Sequence, residues 1–138
     1  MKSSREFPAD VRSVKAARRF VRDTLGDLPP ATADAIELLV SELATNSVKH
    51  AATAFELSVE RQPRGVLVEV TDSGPGRPAP RHPGPTDPTG RGLRIVELMS
   101  DGWGIRRTDR TKTVWFLMRA APAGPPHPPG RRAAQRGR

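Results

Sequence analysis

Phe55-Glu-Leu-Ser-Val-Glu-Arg-Gln-Pro-Arg-Gly-Val-Leu-Val-Glu-Val-Thr-Asp72 decides the fold of this chain. Phe55, Leu57 and Val59 alternate with Glu56, Ser58 and Glu60, which is the period of a strand with one buried face. Gln62-Pro63-Arg64-Gly65 is turn-like, and Val66, Val68 and Val70 resume the alternation directly into Asp72. Two alternating runs joined this closely predict an antiparallel hairpin. The second run ends in Asp72-Ser73-Gly74-Pro75-Gly76, where two glycines let the backbone leave the strand tightly and let a ligand approach without Cβ interference.

Upstream, the pattern changes period. Val11, Val14, Ala17, Val21 and Leu25 follow helical spacing, with Asp10 as N-cap, so a first helix is expected over about 11–25. Arg12, Lys15, Arg18, Arg19 and Arg22 fill its other face, and Gly26 and Pro29-Pro30 stop it. A second helix is expected over about 31–51, with Ile36, Leu39, Val40, Leu43 and Ser47 inward. Glu42, Asn46 and His50, at i, i+4 and i+8, share a face beside that apolar stripe. Such a face lines the edge of a pocket. Residues 1–9 are polar, with an edge strand expected around Glu6-Phe7.

Downstream, residues 77–89 hold five prolines, which excludes regular structure and predicts a long functional loop. Gly90-Arg91-Gly92 then opens a third helix over about 91–100, with Leu93, Val96 and Met99 or Ile95 inward. Trp103 and Ile105 alternate, as do Val114, Phe116 and Met118. The turn Thr108-Asp109-Arg110-Thr111 makes these a second hairpin. The order helix, helix, hairpin, loop, helix, hairpin predicts an α+β two-layer sandwich, about three helices on one face of a mainly antiparallel sheet. Residues 1–120 form the domain, and the Pro/Gly/Arg/Ala-rich stretch 121–138 is expected to be disordered.

Composition narrows the chemistry. The chain has 138 residues and no cysteine, so disulfides and thiolate metal sites are excluded. Its three histidines, His50, His82 and His127, lack metal-ligand spacing. With neither a long apolar run nor a signal-peptide core, a soluble, cytoplasmic protein without membrane partners is expected. Half of the formal charge of +8 comes from Arg131, Arg132, Arg136 and Arg138. A solvated tail explains that cluster, and no aromatic–basic interleaving supports nucleic-acid binding.

The remaining candidates read as follows. Asp72 at a strand end can accept a hydrogen bond from an exocyclic amine such as adenine N6. Glu42 on a helix can orient or deprotonate an attacking hydroxyl. Asn46 can give an amide oxygen to Mg²⁺, which takes few protein oxygens beside phosphates and water. His50 fits packing or capping at the helix end better than ligation. Gly90-x-Gly92 before a helix offers backbone N–H groups to phosphates, with Arg91 as a further partner. Thr113 opens the last strand and is expected to face the same pocket as Asp72. Each signal alone is weak; their order is jointly specific.

On these motifs the chain resembles the gyrase/chaperone/histidine-kinase/MutL ATPase superfamily, which has the Bergerat ATP-binding fold. Glu42–His50 matches its N box, Asp72–Gly76 its G1 box and Gly90–Gly92 its G2 box, and the match spans roughly residues 7–119. The compact form is similar to the bacterial anti-sigma-factor serine kinases, through Val40–Ala51, Gly90-Arg-Gly-Leu-Arg-Ile-Val96 and Lys112-Thr-Val-Trp-Phe116. The resemblance implies that Asn46 ligates Mg²⁺ and that Glu42 is the catalytic base for a protein serine hydroxyl. It implies that Asp72 binds adenine N6 with Thr113 supporting through water, and that Gly74 and Gly76 shape the adenine side. Gly90, Arg91, Gly92 and Leu93 would meet the nucleotide, with residues 77–89 as the ATP lid; Arg91 and Arg94 are both candidates for sensing the terminal phosphate. The implied function is a Mg-ATP-dependent serine kinase that phosphorylates an anti-sigma-factor antagonist and sequesters a sigma factor, often as a homodimer. The alternative is a nucleotide-gated protein-binding module with little or no catalysis. A sensor histidine kinase is disfavoured, because the chain has no room for a phosphoacceptor helix pair, and a DNA-binding protein is motivated only by charge.

Overall fold

The computed structural model describes residues 1–51, 53–73 and 88–119, with backbone alone for 88–92. The expected glycines Gly74 and Gly76, the expected lid up to residue 87 and the expected tail lie outside the described residues.

Among the described residues, five strands and three helices form an α+β sandwich. The strands are β1 (Lys2–Phe7), β2 (Phe55–Gln62), β3 (Gly65–Asp72), β4 (Gly102–Arg107) and β5 (Lys112–Arg119). They make one sheet in the order β1-β2-β3-β5-β4, and every neighbouring pair is antiparallel. Both expected hairpins are present. β2 and β3 pair from Phe55↔Asp72 to Gln62↔Gly65, and the β4–β5 turn is closed by Thr108 N–H donating to the Thr111 carbonyl at 2.9 Å. The edge strand at Phe7 is real and longer than the polar N-terminus suggested, because β2 supplies a complete ladder of partners.

The helices are α1 (Arg12–Thr24), α2 (Pro30–Asn46) and α3 (Pro88–Met99). Asp10 Oδ1 accepts the Arg12 backbone N–H at 2.8 Å, satisfying a donor that the first turn leaves without an intrahelical partner. On α1, Ala17, Phe20, Val21 and Leu25 are buried, whereas Val11, expected inward, is 73% exposed. Phe20, not counted inward from the sequence spacing, is buried with its ring edge-on to Phe7 and centroids 6.2 Å apart. Pro30 starts α2, where a missing N–H costs nothing.

Two helix boundaries differ from expectation. α2 ends at Asn46 and gives way to a π-helical turn, Ser47–Ala51. The extra residue in that turn breaks the i, i+4, i+8 line, so Glu42 and Asn46 are half-buried while His50 is exposed rather than packed. α3 begins at Pro88, so Pro88 and Thr89 belong to the helix and not to the loop, and Gly90-Arg91-Gly92 lies within its first turns. Val96 is fully buried, Leu93 and Ile95 pack against the core, and Met99 is exposed.

One core joins the layers. Ile36, Leu39, Val40, Leu43 and Ala44 of α2 meet Leu57, Val59, Val66, Val68, Val70, Phe116 and Met118 of the sheet. The inward residues of β3 alternate without a break and end in Asp72, which is only 5% exposed. The strand thus carries a carboxylate on the end of an apolar row.

Candidate functional site

The end of α2, the ends of β3 and β5, and α3 converge on one cleft. Leu43, Asn46, Ser47, Val70, Asp72, Leu93, Lys112 and Val114 line it. Its volume is about 260 Å³ with the open mouth included. The space these walls themselves enclose is only about 10 Å³, room for about one water molecule, so they form part of an open cleft rather than a complete ligand pocket.

The walls divide by chemistry. Leu43, Val70, Leu93 and Val114 form apolar sides suited to a flat ring. Asp72, only 5% exposed, supplies an acceptor in the wall, and the Ser47 hydroxyl donates to its Oδ2 at 3.3 Å. Asp72 is buried, and a buried carboxylate needs donors around it. It repels phosphate and favours a neutral group carrying N–H. Asn46 stands on the α2 side of the same cleft, and its Nδ2 is buried without a hydrogen-bond partner among the described residues. Native structures leave few such groups, and they concentrate where a ligand or ion belongs.

Of the expected site residues, Asn46, Asp72 and Leu93 come together here. Glu42 lies one turn before Asn46, half-buried, and is not among the cleft's described walls. Gly90, Arg91 and Gly92 have helical backbone, and Gly74 and Gly76 are outside the described residues.

Thr113 does not face the cleft. It pairs across the sheet with Thr71, and the two hydroxyls are 2.7 Å apart. Since side chains alternate along a strand, Thr71 and Thr113 share the face opposite Asp72 and Val70. The neighbour Lys112 pairs with Asp72 and lines the cleft instead. A one-residue misplacement of register moves a side chain to the other face. Two residues were thus missed as site residues. Ser47 had been assigned only to packing. Lys112 could have been found by counting back from Val114, whose apolar row shares its face.

No group of three or more His, Asp or Glu side chains among the described residues is placed to hold a metal. A cation whose remaining ligands are phosphate and water oxygens can take the Asn46 amide oxygen, while the unpaired Nδ2, a donor, fits an acceptor such as a phosphate oxygen rather than the metal.

A family model, the histidine kinase-like ATPase domain, matches residues 7–118. The chain belongs to this family. Among solved structures it is similar to the RsbU and RsbW domains of Rv1364c from Mycobacterium tuberculosis, at 16% identity and a TM-score of 0.68. That match covers 86% of this chain and 32% of the other, so this chain spans about a third of that protein's length. At this identity the likeness shows a shared fold. A comparison with curated proteins gives no significant match. Family membership agrees with the motif order of the sequence and with the open antiparallel sheet. No described helix of this ATPase-family domain is long and apolar enough to cross a membrane.

Proposed function

We propose that this histidine kinase-like ATPase domain binds Mg-ATP and transfers the terminal phosphoryl group to a serine hydroxyl of a regulatory protein. One observation carries the reading: Asn46 and Asp72, from a helix end and a strand end, meet in a single cleft with apolar walls. Asp72 accepts from the adenine 6-amino group, and Leu43, Val70, Leu93 and Val114 enclose the ring. Asn46 holds Mg²⁺ through its amide oxygen, which places the phosphates toward α2 and the start of α3. Gly90 and Gly92 lie in the first turns of α3, whose N-terminal N–H groups suit phosphate, and Arg91 adds charge. When bound, the ion neutralises phosphate charge. Resemblance to the family supports a role for Gly74 and Gly76 on the adenine side and for residues 77–87, before α3, as the lid.

Glu42, one turn before Asn46, receives the proton of the attacking serine hydroxyl. The serine oxygen–phosphorus bond forms as the bond from the γ-phosphorus to the β,γ-bridging oxygen breaks, and ADP departs. Most of the acceleration in such a transfer comes from positioning and charge neutralisation. Resemblance to the anti-sigma-factor kinases supports an antagonist protein as phosphoacceptor, a sigma factor as the sequestered partner and a cytoplasmic setting. The exposed edge of β1 suits a sheet-extended homodimer.

The test is phosphotransfer from radiolabelled ATP to proteins captured from the native cell with and without Mg-ATP. Glu42→Ala is expected to abolish labelling while leaving ATP affinity largely unchanged. Undiminished labelling would remove Glu42 from its role. One observation favours a second reading, a nucleotide-gated binding module: Glu42 is not among the cleft's described walls. Nucleotide-dependent capture of a partner without any phosphotransfer supports that alternative.

A further inference from the structure

Lys112 is the one ammonium in the cleft's described walls. It opens β5 and stands between two register partners, Asp72 on β3 and Arg107 on β4. Directly opposed residues on antiparallel strands lie within reach of one another. Repulsion from Arg107 and attraction to Asp72 therefore bias the ammonium toward the Asp72 end of the cleft. Lys112 joins none of the four ion pairs formed among the described residues. The Asp72 end of the cleft thus places an acceptor-only group beside a donor-only group.

We propose that Lys112 is a specificity-determining residue that donates to N1 of the adenine ring while Asp72 accepts from the 6-amino group. The inference rests on the nucleotide reading above and adds to it the second half of base recognition. The edge of adenine presents a donor, N6–H, beside an acceptor, N1. An acceptor and a donor on paired strands match these two positions together. Apolar walls at Val70 and Val114 shield the contact from water, which strengthens a hydrogen bond from a charged donor.

The experiment compares ATP with 1-deaza-ATP, in which a C–H replaces N1, by isothermal titration with Mg²⁺ present. Wild type is expected to bind ATP about 10- to 100-fold more tightly than the analogue, the range for a charge-assisted hydrogen bond. Lys112→Met keeps the length of the side chain and removes the ammonium. It is expected to bind both nucleotides alike, at the affinity wild type has for 1-deaza-ATP. Lys112→Arg should restore part of the preference. Equal binding of the two nucleotides by wild type overturns the proposal without any variant and leaves the nucleotide site standing. A Lys112→Met variant that weakens both ligands equally also overturns it, since the ammonium would then act on the phosphates or the fold. Absence of any ATP binding by wild type overturns the functional reading and this one with it.

Discussion

Asn46 carries an unmet hydrogen-bonding need in the protein alone: its Nδ2 is buried and has no partner among the described residues. Leaving such a group unpaired costs about 1–3 kcal/mol. Removing it should therefore cost little stability, while removing a metal ligand should cost binding. Asn46→Ala is expected to unfold within about 1 kcal/mol of wild type. Its Mg-dependent ATP affinity should fall at least about tenfold, comparable to the loss of a ligand-supporting group. Urea denaturation together with titration calorimetry checks both halves; a large stability loss with intact binding would make Asn46 a structural residue. Asp10 gives a second residue-scale prediction. The Arg12 guanidinium and backbone N–H hold its carboxyl down to about 2 from the usual 3.8. A lowered carboxylate stabilises the fold above its unfolded value, and that contribution is lost as pH falls from about 3.8 through about 2. A carbon-13 titration should place the Asp10 midpoint near 2. Asp10→Asn should flatten the stability curve in that window only. The pair is exposed, so the effect is confined to the slope.

At the scale of elements, two glycines differ in what a methyl group would meet. A Cβ on Gly65 would press against the Met118 carbonyl oxygen of the neighbouring strand, and backbone in a ladder cannot move aside. A Cβ on Gly104 would come to 2.8 Å from the Trp115 ring, a half-buried side chain rather than backbone. Gly65→Ala should therefore destabilise by about 2–3 kcal/mol and Gly104→Ala by about 1 kcal/mol. The order of urea midpoints tests this, and the reverse order would refute it. The same contrast between backbone and side chain explains which features could be read from sequence. Strand alternation at 55–59 and 66–70 and the α2 stripe are local consequences of burial on one face, and they were legible. The π turn at Ser47–Ala51 has no periodicity of its own, so His50 was misassigned. Val11 has the right spacing for the α1 face, but it stands just before the first helical residue and is exposed, whereas Phe20 is buried against Phe7. Thr113 is expected from the sequence to face the cleft, and beyond its parity with Val114 nothing in the sequence pattern singles out its neighbour Lys112. Only the register with β3 decides which of two successive side chains faces Asp72.

For the whole molecule, the cleft and the core are continuous. Leu43, Val70 and Val114 line the cleft and also belong to the single hydrophobic cluster that joins helices to sheet. A domain with one core unfolds as one unit, so a ligand held by these walls should stabilise all of it. At a hundredfold excess over its dissociation constant, a ligand specific for the folded state contributes about 2.7 kcal/mol. For a domain of this size, that raises the melting temperature by about 10 °C. Mg-ATP is therefore expected to shift a single cooperative transition, monitored by circular dichroism and tryptophan fluorescence together. Asp72→Asn should reduce the shift, because the amide loses the charge and keeps one acceptor oxygen in place of two. In Asn46→Ala the shift should no longer depend on Mg²⁺. Coincident curves from the two probes would tie the cleft to the core. A fluorescence transition that moves with nucleotide while the circular dichroism transition stays fixed would separate them, and the site would then be a locally ordered edge on an independently stable sheet.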